Sequence, residues 1–294
     1  MYFCGVKNLS SLTENHLDEI YRVHPQLMQL TQLVQPGAVV RLKGLSCSSP
    51  VLLAAATVMQ QQAGNHIFIL PDNESAAYFQ NDLTNILGDN QVFYFPSSYK
   101  RMTAQVQLHE GNIILRTRVL EALLDSSRKG MIIVTHAHAL AEKVVSGDNL
   151  QRNTLQLRKG ENISIDFIHE VLREYGFTMC DFVYEPGQFS IRGSIVDIFS
   201  YSHNMPYRVD FFGDEVESIR SFDIDTQLSD TQIELIHIIP NLGAEKHRSG
   251  RSCFLTQFDD STVIWSDNLT LTLNEITRIN THPPVNMLDR KSVV

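Results

Sequence analysis

The sequence predicts an α/β protein in which a parallel sheet covered by helices is interrupted by a small α+β domain, with a partial return to the first sheet afterwards. Three observations lead there. Short apolar runs alternate with amphipathic stretches from Ala38 to about Val145, strands dominate after about Gly147, and one further strand-like run follows a polar linker (EKHRSGR) near the end of the chain.

In the first part, AVVRL (38–42), HIFIL (66–70), QVFYF (91–95) and MIIVT (131–135) read as buried strands, being β-branched or aromatic and about five residues long. The stretches 51–62, 74–87 and 112–127 carry helical spacing, and βαβ alternation of this kind argues for a parallel sheet. Residues 12–33 read as a helix that precedes it. In the middle part, 164–175 places Ile165, Ile168, Val171 and Leu172 along one helix side and stops at Gly176. Strands then follow at 189–199, 207–212 and 215–222, the last two joined by Gly213 and Asp214, a pair suited to a II′ hairpin. Finally STVIWSD and a short helix at 272–279 cannot close a core alone, so they are expected back on the first sheet. The division is therefore 1–150, 151–244 and 245–294, with the last piece reading as a truncated module.

Charge and cysteines narrow the function classes. Between Leu155 and Pro240 there are 15 acids and 6 bases, which accounts for the whole formal net charge of -9. Such a segment repels a phosphate backbone, so direct nucleic-acid binding by it is disfavoured. Cys4, Cys47, Cys180 and Cys253 form no CxxC pair, and isolated buried thiols are expected rather than a zinc site or disulfides. His136 and His138 lie two apart at a strand-to-helix junction, where a surface or capping role competes with a metal or base role. Glu185 and Asp197 have no nucleophile or pocket signature beside them, so no catalytic residue, metal ligand or cofactor is assigned. No apolar run of about 18 residues and no signal peptide is present, which predicts a cytoplasmic protein without membrane contact.

The most specific run is EPGQFSIRGSIVDIF (185–199), followed by PYRVDFFGDEVESIRSFD (206–223). Together they resemble the signature of the second domain shared by UvrB and the transcription-repair coupling factor Mfd, E-P-G-x-F-x-x-R-G-x-x-x-D-I-F and then R-x-(D/E)-F-F-(G/D)-D-E-(V/I)-(E/D)-S-(I/L)-R. Between these two, the first βα turn points to Mfd. A P-loop needs glycines whose N–H groups cradle phosphates, a Lys to neutralise them and a Ser/Thr for magnesium. Counted from Gly44, GLSCSSPV puts Ser49 at the second Gly, Pro50 at the Lys and Val51 at the Ser/Thr. The first domain is thus a degenerate P-loop-type sheet that is not expected to bind nucleotide. Ser49 and Pro50 still suit a helix N-cap and first position, where a weak anion competes with a plain structural turn. The stretch 91–111 also lacks the long aromatic insertion with which UvrB clamps DNA.

The resemblance implies a non-catalytic adaptor that binds UvrA and so recruits nucleotide excision repair to stalled RNA polymerase. The full-length family protein is an ATP-dependent DNA translocase, whose absent C-terminal parts would supply the contacts with polymerase and DNA and would cover the docking face. A UvrB-like helicase fragment with DNA and ATP binding is the rival reading. By strand alternation Tyr207, Val209 and Phe211 face the core, while Arg208, Asp210 and Phe212 face outward. Along 189–199 the same rule sends Phe189, Ile191 and Ile195 inward and Arg192 outward with Ser190 and Ser194. The resemblance makes Arg192, Arg208 and Phe212 the UvrA-contacting residues, with a carboxylate on the partner as the counter-group of the arginines. The alternative left open is that both arginines pair with Asp197, Asp210 or Glu217 inside the domain.

Overall fold

A computed structural model describes residues 25–281 apart from 36, 61–63, 89–90, 103–104, 126–127, 129 and 243–250. The expected helix at 12–33 lies partly outside these, its described portion being α1 (Pro25–Leu33). The chain continues through α2 (Ser49–Gln60), β1 (His66–Leu70), α3 (Asn73–Leu87), β2 (Val92–Phe95), β3 (Tyr99–Met102), β4 (Gln105–Leu108) and α4 (Glu110–Leu124). Next come β5 (Ile132–His136), α5 (Ala137–Ala141), β6 (Val144–Val145), α6 (Gly147–Arg152), β7 (Leu155–Arg158), α7 (Ile165–Glu174), β8 (Thr178–Met179), β9 (Gln188–Arg192) and β10 (Ile195–Ile198). The last elements are β11 (Tyr207–Phe212), β12 (Glu215–Phe222), β13 (Ser229–Ile233), β14 (Leu235–Ile238), β15 (Arg251–Ser252), β16 (Val263–Ser266) and α8 (Leu269–Thr281).

Two compact units result. One takes in the described residues up to Tyr94 together with Ser127–His138 and Phe258–Thr277. Its sheet has the order β16-β1-β5-β2, with β16 and β5 both parallel to β1. Val51, Ala54, Ala55 and Val58 of α2 and Ala76 and Leu83 of α3 pack with Phe68, Val92, Ile132 and Val134 of the sheet. The indole of Trp265 on β16 donates to His66 Nδ1 at 3.1 Å, pinning the returning strand. Asp72 starts α3 by accepting from the Ser75 N–H at 2.8 Å. That backbone hydrogen bond holds its carboxyl below the usual range.

Residues 38–42 do not form the expected strand. They run outside every sheet and are exposed, Val39 at 94%. The apolar run is split by Arg41, so it offers no continuous buried face. Cys47 and Cys253 are likewise exposed and Cys180 is half-buried, so the expected burial of the thiols does not hold for them; Cys4 lies outside the described residues.

The other unit comprises the described residues of 95–126, Ala139–Gln257 and 278–281. It contains a six-stranded sheet, β13-β12-β11-β10-β9-β8, antiparallel except for the β8–β9 pair. Phe189, Val196, Ile198, Tyr207, Val209, Phe211, Val216 and Ile219 line its inner face. They meet Ile168 and Leu172 of α7, and Leu157, Ile236 and Ile238 of the β7–β14 pair. The helix begins at Ser164, whose hydroxyl accepts from the Phe167 N–H, and Gly176 follows its end at φ 83°. The hairpin of β3 and β4 had no counterpart in the sequence reading.

Candidate partner-docking face

The outer face of the six-stranded sheet is set by two tight turns. In the first, Glu185-Pro186-Gly187-Gln188 closes through the Gln188 N–H to the Glu185 carbonyl at 3.2 Å, with Gly187 at φ 87°. Proline second and a left-handed glycine third is the chemistry of a type II turn. The Gln188 side-chain oxygen then accepts from the N–H groups of Tyr184 (2.9 Å) and Glu185 (3.1 Å), fixing the approach to β9.

The second turn corrects the sequence reading. Residues 189–199 are a hairpin rather than one strand, because Arg192 pairs directly with Ile195 across Gly193, at φ 61°, and Ser194. The turn resets the alternation, so Val196 and Ile198 go inward while Ile195 and Asp197 join Arg192 outside. Arg192 and Ser190 do face outward as expected, although Ser190 is covered. On β11 the alternation holds as read, with Tyr207, Val209 and Phe211 buried.

Two rows of side chains cross this face. One runs Ser190, Asp197, Arg208, Arg220 and Gln232; the other runs Arg192, Ile195, Asp210 and Ser218. Asp197, at 1% exposure, joins them: both its oxygens accept from Arg208, Oδ1 from Nε at 2.8 Å and Oδ2 from Nη2 at 2.9 Å. It also accepts from Arg192 Nη2. The open alternative of intradomain ion pairs is thus what the structure shows for both arginines. The Asp197 hydrogen bonds raise the Arg208 pKa above its ordinary value.

Arg208 is further held by the Gln227 carbonyl at 3.2 Å and lies 4.3 Å over the ring of Phe222. Gln227 is aimed there from the left-handed region, φ 58°, by a turn in which Asp223 accepts from Thr226. Only 16% of the Arg208 side chain is exposed, against 37% for Arg192. Arg192 donates to the Asp181 carbonyl at 2.8 Å and to Ser190 Oγ at 3.0 Å, and lies 5.1 Å over the half-exposed ring of Phe182. A second pair, Arg220 with Asp210, continues the alternation of charge toward β12.

Phe212 is 79% exposed where β11 runs out opposite Glu215, beside the hairpin turn at Gly213, φ 63°. By strand alternation it lies on the same outer face as Arg208 and Asp210. Asp197 was one of the three acids named as a possible partner of the arginines, whereas Phe182, Gln227 and Arg220 were not found from the sequence. Asp197 stands out in the sequence as the sole acid in an otherwise apolar β10.

At the other sequence-predicted site, Gly44 has φ 82° and Ser49 is the first residue of α2, one position later than a cap. Its hydroxyl turns back, donating to the Ser46 carbonyl and accepting from the Ser46 N–H, both at 2.7 Å. Pro50 and Val51 follow inside the helix. His136 is buried and His138 faces Glu275 at 3.5 Å. Among the described residues no group of three His, Cys, Asp or Glu is placed to hold a metal ion, and no helix is long and apolar enough to cross a membrane.

Residues 155–242 match the family model described as the UvrB interaction domain. The chain is 26% identical over 226 residues to a transcription-repair-coupling factor of Escherichia coli K12, which covers 77% of this chain and 19% of that protein. It is 28% identical over 209 residues to the Haemophilus influenzae protein of that name, covering 71% and 18% respectively. For the Bacillus subtilis protein of that name the identity is 28% over 201 residues, covering 68% and 17%. The chain therefore spans about a fifth of the length of these relatives.

Proposed function

Starting from a chain that is a homologue of the transcription-repair-coupling factors and carries a UvrB interaction domain, we propose that it is their non-catalytic adaptor module. It docks UvrA on the outer face of the six-stranded sheet and so brings nucleotide excision repair to a stalled RNA polymerase. Arg192, Arg208 and Phe212 form the docking site. The observation that carries this reading is the exposure of Phe212, a large aromatic standing in water on the outer face of the matched domain, on the strand that also carries Arg208.

The division at 150/151 and 244/245 separates a degenerate nucleotide-binding domain, the docking domain and the start of a third segment. With Ser49, Pro50 and Val51 in the positions that bind phosphate and magnesium, the chain turns over no ATP. Contacts with polymerase and DNA, translocation, and the masking of the docking face belong to the remainder of the longer protein. The acidic middle segment supports a protein partner over a nucleic acid.

A pull-down with purified UvrA tests the proposal. Wild-type chain is retained, whereas Arg192→Ala and Phe212→Ala lose retention while keeping a wild-type circular dichroism spectrum. Undiminished capture of both variants would remove the site assignment.

A further inference from the structure

Asp197 is a single buried carboxylate shared by two guanidinium groups that reach it from the strands on either side. One anion cannot neutralise two cations, so this cluster retains one positive charge in a domain that is otherwise strongly acidic. The two arms are unequal. Arg208 has its Nε and Nη2 on Asp197 and further contacts with Gln227, and it lies against Phe222, largely out of solvent. Arg192 is held on one edge only, by Asp197, Ser190 and the Asp181 carbonyl, and keeps more than a third of its side chain in solvent.

We infer that Asp197 is a positioning residue of the docking face, anchoring Arg208 as an internal strut and orienting Arg192 to present the unmatched positive charge to a carboxylate on UvrA. The inference rests on the docking function proposed above and adds to it the division of labour between the arginines and the chemistry of the partner group. Ser190 serves the same end: covered itself, it accepts one Nη1 hydrogen bond from Arg192 and donates its own O–H to the Asp181 carbonyl at 2.9 Å. A guanidinium pinned along one edge loses less rotamer freedom on binding and offers its other edge to an acceptor. Arg208, its Nε, Nη1 and Nη2 each engaged by Asp197 or Gln227, serves the docking site through this arrangement.

The test is a calorimetric titration of UvrA into the whole chain at low and at moderate salt, which reads affinity and stoichiometry separately. Arg192→Gln is expected to weaken binding at least about tenfold and to flatten its salt dependence, because the presented charge is gone. Asp197→Asn is expected to weaken binding about tenfold at full stoichiometry while keeping the salt dependence, since both cations remain. A merely structural role would lower the stoichiometry and leave the affinity alone. Should Asp197→Asn fail to fold, Ser190→Ala decides in its place, with a loss of a few-fold in affinity and no change in melting temperature expected. Wild-type affinity in folded Asp197→Asn, or in Ser190→Ala, overturns the inference, as does an undiminished salt dependence in Arg192→Gln. If the wild-type chain binds no UvrA at either salt, it is the docking proposal itself that fails.

Discussion

Gly187 lies beneath the phenol of Tyr201, so closely that a Cβ placed on the glycine would stand 2.1 Å from the hydroxyl oxygen and 2.4 Å from the ring carbon that bears it. The backbone there is also left-handed, φ 87°. Gly187→Ala therefore meets two penalties at once, a strained φ and an overpacked ring. The variant is expected to lose about 2–4 kcal/mol of stability, measured by urea unfolding, and a wild-type midpoint would refute this account of the turn.

The two arginines on Asp197 differ in what their removal leaves behind. Arg208→Ala strips a buried carboxylate of its bidentate partner and is expected to cost about 3 kcal/mol or more. Arg192→Ala leaves that pair intact and removes a partly solvated contact, worth about 1 kcal/mol or less. Equal losses in urea melts of the two variants would contradict the strut arrangement.

Burial is the largest influence raising the Cys180 thiol above its ordinary pKa, with the charge of Asp181 adding to it. At pH 8 the group therefore stays largely protonated and is a poor nucleophile. Cys47 and Cys253 stand in solvent. Brief alkylation followed by peptide mass spectrometry is expected to label Cys47 and Cys253 well before Cys180.

Asp72 caps α3 as a carboxylate, and its pKa lies below the ordinary 3.8. A group whose folded pKa is depressed stabilises the fold fully at neutral pH and loses that contribution as pH falls through the folded value. Asp72→Ala is expected to cost about 1 kcal/mol at pH 7, and the gap to wild type should narrow below pH 3.8. A gap that does not change with pH would show that the cap does not act through its charge.

Much of the fold could be read from local patterns. The period-two burial of β11, the single-sided helix α7 with its serine cap and following glycine, and the βαβ order around β1 and β5 all follow from side-chain spacing. What escaped was non-local or depended on one turn. Residues 38–42 have the composition of a strand, but composition does not reveal that β1 pairs with β16 and β5 instead. The Gly193–Ser194 turn shifts the side chains of β10 by one face, which brings Asp197 onto the outer face between Arg192 and Arg208. Pairings such as Arg208 with Asp197 and Gln227 join three separate segments, and spacing along one strand is silent about them.

Because His66 of β1 is matched with Val263 of β16, the first sheet cannot gain that edge until nearly the whole described chain has left the ribosome. The domain at 155–242 leaves the ribosome ahead of that strand, so it can fold while the sheet that flanks it in sequence is still waiting. During synthesis β1 carries an open flank of unpaired N–H and C=O groups among apolar side chains such as Ile67 and Phe68, which leaves the nascent chain open to wrong pairing. A ribosome pause that holds residues 263–266 inside the exit tunnel would lengthen that exposure, and one that comes after they have emerged would not.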